Sequence, residues 1–251
     1  MSAKDKLRKF RENETFGCLY QPTTEEVLWK DYRLKGHWGG QVFGNDNPIV
    51  VELGCGKGEY TIALSKMFEN VNFIGVDIKG ARLWKGAKYA HAEKLSNVAF
   101  IRTRIEFIES LFAENEISQI WITFPDPQIK RAKKRLTGTL FLKRYFNFLK
   151  SDGIVNLKTD SRFLHEYTLA LVKQNNLPLI EANTDIYGSG RADEILSIKT
   201  FYEAHYLKRG FPITYMAFRI DKNELAEPQW DSEYWEKEEM KGREFTPANK
   251  G

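Results

Sequence analysis

From residue 47 onward the apolar positions follow two alternating rhythms. Short unbroken runs rich in β-branched and aromatic residues occur at PIVVEL (48–53), VNFIGVD (71–77), NVAFIR (97–102), SQIWITF (118–124), IVNLK (154–158) and ITYMAFRI (213–220). Each is too short for a helix and predicts a strand. Between them the spacing changes to three and four. Residues 59–69 put Tyr60, Leu64 and Met67–Phe68 on one side, and helices are likewise expected over 80–95, 139–150 and HEYTLALVKQ (165–174). Ser151-Asp152-Gly153 is expected to close the helix over 139–150. Buried strands alternating with helices predict an α/β fold, an open, mostly parallel sheet with helices on both faces. The expected division is a basic N-terminal arm (1–46), the sheet domain (47–220) and a charged C-terminal tail (221–251) holding Pro228 and Pro247.

Charge refines this picture. The chain has 38 Lys and Arg against 34 Asp and Glu, a net +4. Nine acids against five bases lie between Asp221 and Gly251, which leaves about +8 on residues 1–220. A basic body predicts an anionic partner. No apolar run approaches the ~20 residues of a membrane span, so no membrane partner is expected. The opening MSAKDKLRKF is charged where a secretory signal turns apolar, and the expected location is cytoplasmic. Two cysteines, Cys18 and Cys55, make neither a disulfide framework nor a zinc site by themselves, and no metal is expected.

The chemistry concentrates in VELGCGKG, residues 51–58. Gly54, Gly56 and Gly58 stand between a strand and a helix, where the backbone turns sharply and approaches a ligand closely. A glycine turn alone also serves strand-to-helix packing; two acids point further. Glu52 sits near the strand's C-terminal end, where a buried carboxylate needs a partner, and the cationic end of S-adenosylmethionine would supply one. Asp77 ends the next strand, 21 residues beyond Gly56, where doubly wound nucleotide-binding folds place an acid on ribose hydroxyls. The spacing is G-x-G-x-G rather than the G-x-G-x-x-G that seats a pyrophosphate on a helix N-terminus, which suits a nucleoside ligand without phosphates.

A second cluster follows SQIWITF, where Pro125-Asp126-Pro127 leaves Asp126 little freedom at the carboxyl end of a strand, the place where open sheets gather their chemistry. Aspartate also caps turns. Beyond it KRAKKR (130–135) carries five bases in six positions, then Lys143 and Arg144. A basic run is often only a solvated loop; beside this crevice it points to nucleic acid.

With these pieces in place the chain closely resembles the bacterial tRNA (guanine-N7-)-methyltransferases. VELGCGKG, IGVDIK, WITFPDP with its basic run, LKTD (157–160) and TFYE (200–203) occur in that family's order, over roughly residues 48–220. The resemblance implies a Rossmann-like class I methyltransferase fold with a late antiparallel strand, S-adenosylmethionine as cofactor and tRNA as partner. By the same resemblance Glu52, Gly54, Gly56, Asp77, Arg104 and Asp126 would bind the cofactor, with Asp126 the catalytic residue. Lys130, Asp160, Thr200, Phe201, Tyr202 and Glu203 would contact the tRNA. Three departures stand out. Gln128 and Ile129 replace the family's Trp-Pro and the loop is about two residues shorter; Arg104 occupies the place of an Asn or Asp near the adenine; TFYE replaces T-K-F-E. Arg104 cannot accept a hydrogen bond, and stacking or pairing with Glu106 is expected of it.

The implied reaction methylates N7 of guanosine 46 in the tRNA variable loop. N7 has a lone pair and no proton to lose, which matches a chain with four histidines and no evident nucleophile–base pair. Aromatic stacking on Phe201 or Tyr202 competes with simple packing. Two rival classes remain at this point: a methyltransferase for another substrate, either another RNA or a protein or small molecule that would leave the basic run idle, and a non-catalytic RNA-binding module, against which intact Glu52, Asp77 and Asp126 speak.

Overall fold

The computed structural model describes residues 3–244. In chain order the elements are α1 (Ala3–Asn13), β1 (Leu19–Tyr20), α2 (Thr24–Val27), β2 (Ile49–Leu53), α3 (Glu59–Met67), β3 (Asn72–Asp77), α4 (Gly80–Ala92), β4 (Val98–Arg102), β5 (Ile117–Thr123), α5 (Thr139–Phe146), β6 (Leu149–Thr159), α6 (Arg162–Gln174), β7 (Leu179–Asn183), α7 (Phe201–Leu207), β8 (Thr214–Arg219) and α8 (Ser232–Glu244). The strands form one sheet in the order β1-β4-β3-β2-β5-β6-β8-β7. Every pair from β1 to β6 is parallel, and β8 runs antiparallel to both β6 and β7. This is the Rossmann-like class I methyltransferase architecture with its late antiparallel strand.

Alternation along the strands explains why the sheet is covered on both sides. Val51 and Leu53 of β2 join Ile74, Ile120 and Leu157 in a core closed by α5 and α6. Val50 faces the other way, into a second cluster with Tyr60 and Leu64 of α3, Phe73, Trp121 and Tyr215. Strand order reverses direction between β2 and β5, which pair Glu52 with Trp121 and Leu53 with Ile122. A crevice opens outside the carboxyl ends of strands at such a reversal.

Four segments differ from the sequence expectation. The helix over 139–150 stops at Phe146, and Ser151-Asp152-Gly153 lies inside β6. There the ladder slips, with Ile117 opposite Leu149 but Gln119 opposite Ile154; a bulge accommodates the polar turn residues without ending the strand. β7, absent from the expected strands, is a half-exposed edge strand without a continuous apolar run. Residues 3–46 and 221–239 are built into the body rather than lying on it as arm and tail. Asn13 Nδ2 donates to Gly80 O (2.9 Å), and the fully buried Trp38 donates from Nε1 to Leu111 O (2.8 Å). At the other end Leu225 is buried, and Trp230 stacks on Trp235 with centroids 5.6 Å apart, both rings packing beside Phe163. Residues 1–2 of the expected arm and 245–251 of the expected tail lie outside the described residues. No helix among the described residues is long and apolar enough to cross a membrane.

Candidate functional site

The β2–α3 turn is built as the glycines require. Gly54, Gly56 and Gly58 have φ of +76°, +57° and +71°, the left-handed region that side chains with a Cβ resist. Gly58 is needed twice over, because an added Cβ would stand 2.6 Å from the Phe100 ring. At Gly54 nothing lies within 4 Å of that position, so the backbone there is bare toward the crevice. Asp77 fixes the turn from β3. Its Oδ2 accepts from Gly56 N (2.9 Å) and its Oδ1 from Lys79 N (2.7 Å). Each oxygen keeps a lone pair for a hydroxyl donor.

Glu52 lies near the end of β2, as expected, and meets hydrogen-bond partners within the fold. It is buried, and its carboxylate accepts from Thr123 Oγ1 (2.6 Å) and from both the backbone N (2.9 Å) and Oγ1 of Thr61. It thereby ties the ends of β2 and β5 to the first turn of α3. Burial pushes its pKa up to about 7, partly offset by the threonine hydrogen bonds.

The loop after β5 is held tightly. Phe124 and Gln128, on either side of Pro125-Asp126-Pro127, have φ of +49° and +50°, a costly conformation for such residues that persists only where the surroundings impose it. Phe124 N donates to Lys158 O (2.8 Å), and Asp126 Oδ1 accepts from Gln128 N (3.2 Å). Arg135 clamps the far side. It is buried, donates to Gln128 O (3.1 Å) and Ile129 O, and lies 4.8 and 4.4 Å from the ring centroids of Phe163 and Tyr167. The last base of the run is therefore a structural cation, whereas Lys133 and Lys134 are exposed.

Two clefts meet at this loop. One of about 420 Å³ is lined by Gly54, Asp77, Arg104, Asp126 and Lys134 among others. The second, about 490 Å³, is lined by Asp126, Asp160, Tyr202, Tyr206 and Arg209 among others. Phe124, Pro125, Asp126 and Arg82 border both. Arg104 lies at the cleft wall, exposed, and makes no ion pair with Glu106; Glu106 is met instead at its carbonyl by Arg144 Nη1 (2.9 Å).

The TFYE segment splits in two. Thr200 caps α7, its side chain accepting from Glu203 N (3.2 Å), while the Glu203 side chain accepts back from Thr200 N. This is the reciprocal capping box. The Glu203 carboxylate is fully buried, 2.8 Å from Lys158 Nζ, and accepts from Tyr187 Oη (2.7 Å). Lys158 Nζ also donates to Leu196 O (2.7 Å) and Ile198 O (3.0 Å). Thr200 and Glu203 thus build the platform, and the exposed Phe201 and Tyr202 stand on it. Phe201 N donates to Glu59 Oε2 (2.8 Å) and its ring lies 3.9 Å from Lys57 Nζ, which sets α7 over the glycine turn.

Lys130 is exposed beside Asp126 and paired with Glu236 of α8 at 2.7 Å. Next to it, Glu239 Oε1 accepts from Ser161 Oγ (2.8 Å) and Phe163 N (2.9 Å) at the start of α6. Arg82, Tyr206 and Arg209 escaped the sequence reading. Tyr206 and Arg209 follow Tyr202 at steps of four and three, the spacing of one helical face, and Arg82 sits in the first turn of α4 at the end of β3.

Comparison with known proteins identifies the family. A methyltransferase family model matches residues 46–216. The tRNA (guanine-N(7)-)-methyltransferase of Christiangramia forsetii is 56% identical over 223 residues, 88% of this chain and 100% of that protein. Its counterparts in Porphyromonas gingivalis and Bacteroides thetaiotaomicron are 53% and 48% identical, over 89% and 92% of this chain and 90% and 92% of their own. Among solved structures, the 16S rRNA methyltransferase KamB covers 72% of this chain and 92% of its own with a TM-score of 0.54 at 12% identity, a likeness of fold. The chain belongs to the tRNA (guanine-N7-)-methyltransferase family.

Proposed function

We propose that this protein transfers the methyl group of S-adenosylmethionine to N7 of guanosine 46 in the variable loop of tRNA, in the cytoplasm. The observation that carries this reading is the meeting of two clefts at Asp126, one with the glycine turn and Asp77, the other with Asp160 and Tyr202. The donor set of the first suits a nucleoside cation: bare backbone at Gly54 and carboxylate lone pairs at Asp77. S-adenosylmethionine supplies there an electrophilic methyl group on a sulfonium.

The protein's own groups then do three things. Gly54, Gly56 and Asp77 seat the ribose end, with Arg104 offering a flat cation to the adenine face. Asp126, exposed at the junction, faces the region where positive charge moves from sulfur to purine, and a fixed carboxylate there stabilises that transfer. Asp160 and Tyr202 orient the guanine, the acid accepting from its N–H edge and the ring offering a stacking face. Lys130 meets phosphate once Glu236 is displaced, and Phe201 extends the rim. Glu52, Thr200 and Glu203 serve from behind, by holding the glycine turn and α7. Since N7 bears no proton, alignment is the main task, worth roughly 7–11 kcal/mol when reacting atoms are held in line.

The test is methyl transfer to unmodified tRNA, with the product mapped by chemical cleavage at N7-methylguanosine. Cleavage at position 46 is the expected outcome. Transfer elsewhere in the tRNA rejects the position, and transfer only to other RNA or to small molecules rejects the substrate.

A further inference from the structure

The second cleft holds a cation whose hydrogen bonding is incomplete. Arg209 follows α7 and lines this cleft together with Asp160, Tyr202 and Tyr206. Its guanidinium lies 5.0 Å from the Phe211 ring centroid, and its Nη2 is sealed from solvent without a hydrogen-bond partner. Other arginines are differently served. Arg135 donates to two carbonyls and Arg191 to two carboxylates. A guanidinium carries five donors in a fixed fork and is never neutral at working pH. Leaving one donor buried without an acceptor destabilises the resting placement, so an acceptor entering the cleft gains by drawing the side chain toward it.

The chemistry of that acceptor follows from the rest of the lining. Asp160 is an acceptor and answers the N–H edge of a purine, Asp126 faces the reacting atoms, and the tyrosines answer the purine face. What a nucleotide brings beyond these is its phosphodiester, and a planar guanidinium matches phosphate in charge and fork geometry. We propose that Arg209 binds a backbone phosphate flanking the guanosine that is methylated, anchoring that nucleotide in the second cleft. This deepens the proposed transfer to a tRNA guanosine and rests on it.

The experiment is a binding cycle between Arg209→Gln and tRNAs in which one linkage flanking guanosine 46, on the 5′ or the 3′ side, is a neutral methylphosphonate. Arg209→Gln is expected to weaken tRNA binding by about ten-fold or more, the scale of a hydrogen bond to a charged group. One of the two methylphosphonates should weaken wild-type binding equally and have no further effect on the variant. Arg209→Lys, which keeps charge but loses the fork, should recover part of the loss. Unchanged melting and unchanged S-adenosylmethionine affinity in the variants separate this from misfolding. Losses that add at both linkages, or undiminished affinity in Arg209→Gln, overturn the proposal. So does a dependence on Arg209 that vanishes when guanine is replaced by 2-aminopurine, which lacks O6, since the arginine would then read the base. Methyl transfer by the wild type is measured on the same RNAs. Intact binding without methylation of that guanosine counts against the proposed reaction, while the cycle still decides the role of Arg209.

Discussion

Lys158 and Glu203, 45 residues apart in sequence, form an ion pair of 2.8 Å in which both side chains are fully buried. The pair joins the end of β6 to α7, and with Leu196 O and Ile198 O it pins the segment that brings Tyr202 to the cleft. Burial lowers the Lys158 pKa, opposed by the Glu203 charge. Removing one member strands the other's charge, which costs roughly 3–5 kcal/mol.

Glu203→Leu and Lys158→Met are therefore expected each to lose stability on that scale in urea unfolding, and the double variant to lose less than either. Glu203→Gln should also be less stable than wild type. A Glu203→Gln protein with wild-type stability and cofactor affinity but lost turnover would return Glu203 to the reacting base.

Glu52 gives a pH signature. Its folded pKa of about 7 lies above the ordinary 4.5, so the unfolded chain releases this proton first as pH rises. The associated stability is full below pH 4.5 and is lost as pH climbs through 7, by about 3 kcal/mol for a shift of this size. Glu52→Gln cannot titrate, and its urea midpoint should fall less than that of the wild type between pH 5 and pH 8, a range that spans most of the window between the two pKa values. Parallel profiles for the two proteins would show that Glu52 does not titrate in this window.

The basic run divides by exposure. Lys133 and Lys134 are exposed, so neutralising both should weaken tRNA binding and reduce the log–log salt slope by about 0.7 for each phosphate that is no longer neutralised. Arg135→Ala should instead lower the melting temperature, since it releases the carbonyls of Gln128 and Ile129 and uncovers the rings of Phe163 and Tyr167. A salt slope unchanged in the double lysine variant makes these lysines a solvated loop.

The differences among these residues have physical causes that bear on what a sequence can reveal. β2, β3, β4 and β5 are legible because parallel strands buried on both faces read as unbroken apolar runs. β7 is not, because its outer edge is exposed and nothing forces such a run. Gly54, Asp77 and Asp126 are legible because backbone geometry and strand ends restrict what stands there. Thr200 and Glu203 carry a readable local signal, the Thr-x-x-Glu capping box, although the family resemblance points them toward the ligand. Lys158 sits inside LKTD and pairs across 45 residues, a partnership that no local pattern encodes. Arg135 looks like its neighbours, because charge alone does not say which cation folds inward.

The last prediction concerns the reacting atoms. Asp126 borders both clefts, its loop is set by left-handed Phe124 and Gln128, and its Oδ1 accepts only a 3.2 Å hydrogen bond from Gln128 N among those of the described residues. The proposed role is electrostatic, so the neutral Asp126→Asn should keep the fold and lose single-turnover rate by ~10²-fold or more, the cost of removing a preorganised group from developing charge. Asp160→Asn is expected to lose rate as well, with part of the effect in tRNA affinity because its acid orients the base. Guanine N7 has no proton to give up, so the wild-type chemical step should be flat from pH 7 to pH 9, without the rising limb of a general base. Single-turnover methyl transfer to saturating tRNA across that range, for the wild type and both variants, decides these points together. A steep rise of the wild-type chemical step with pH rejects a base-free reaction, and undiminished rates in Asp126→Asn remove that carboxylate from the transition state.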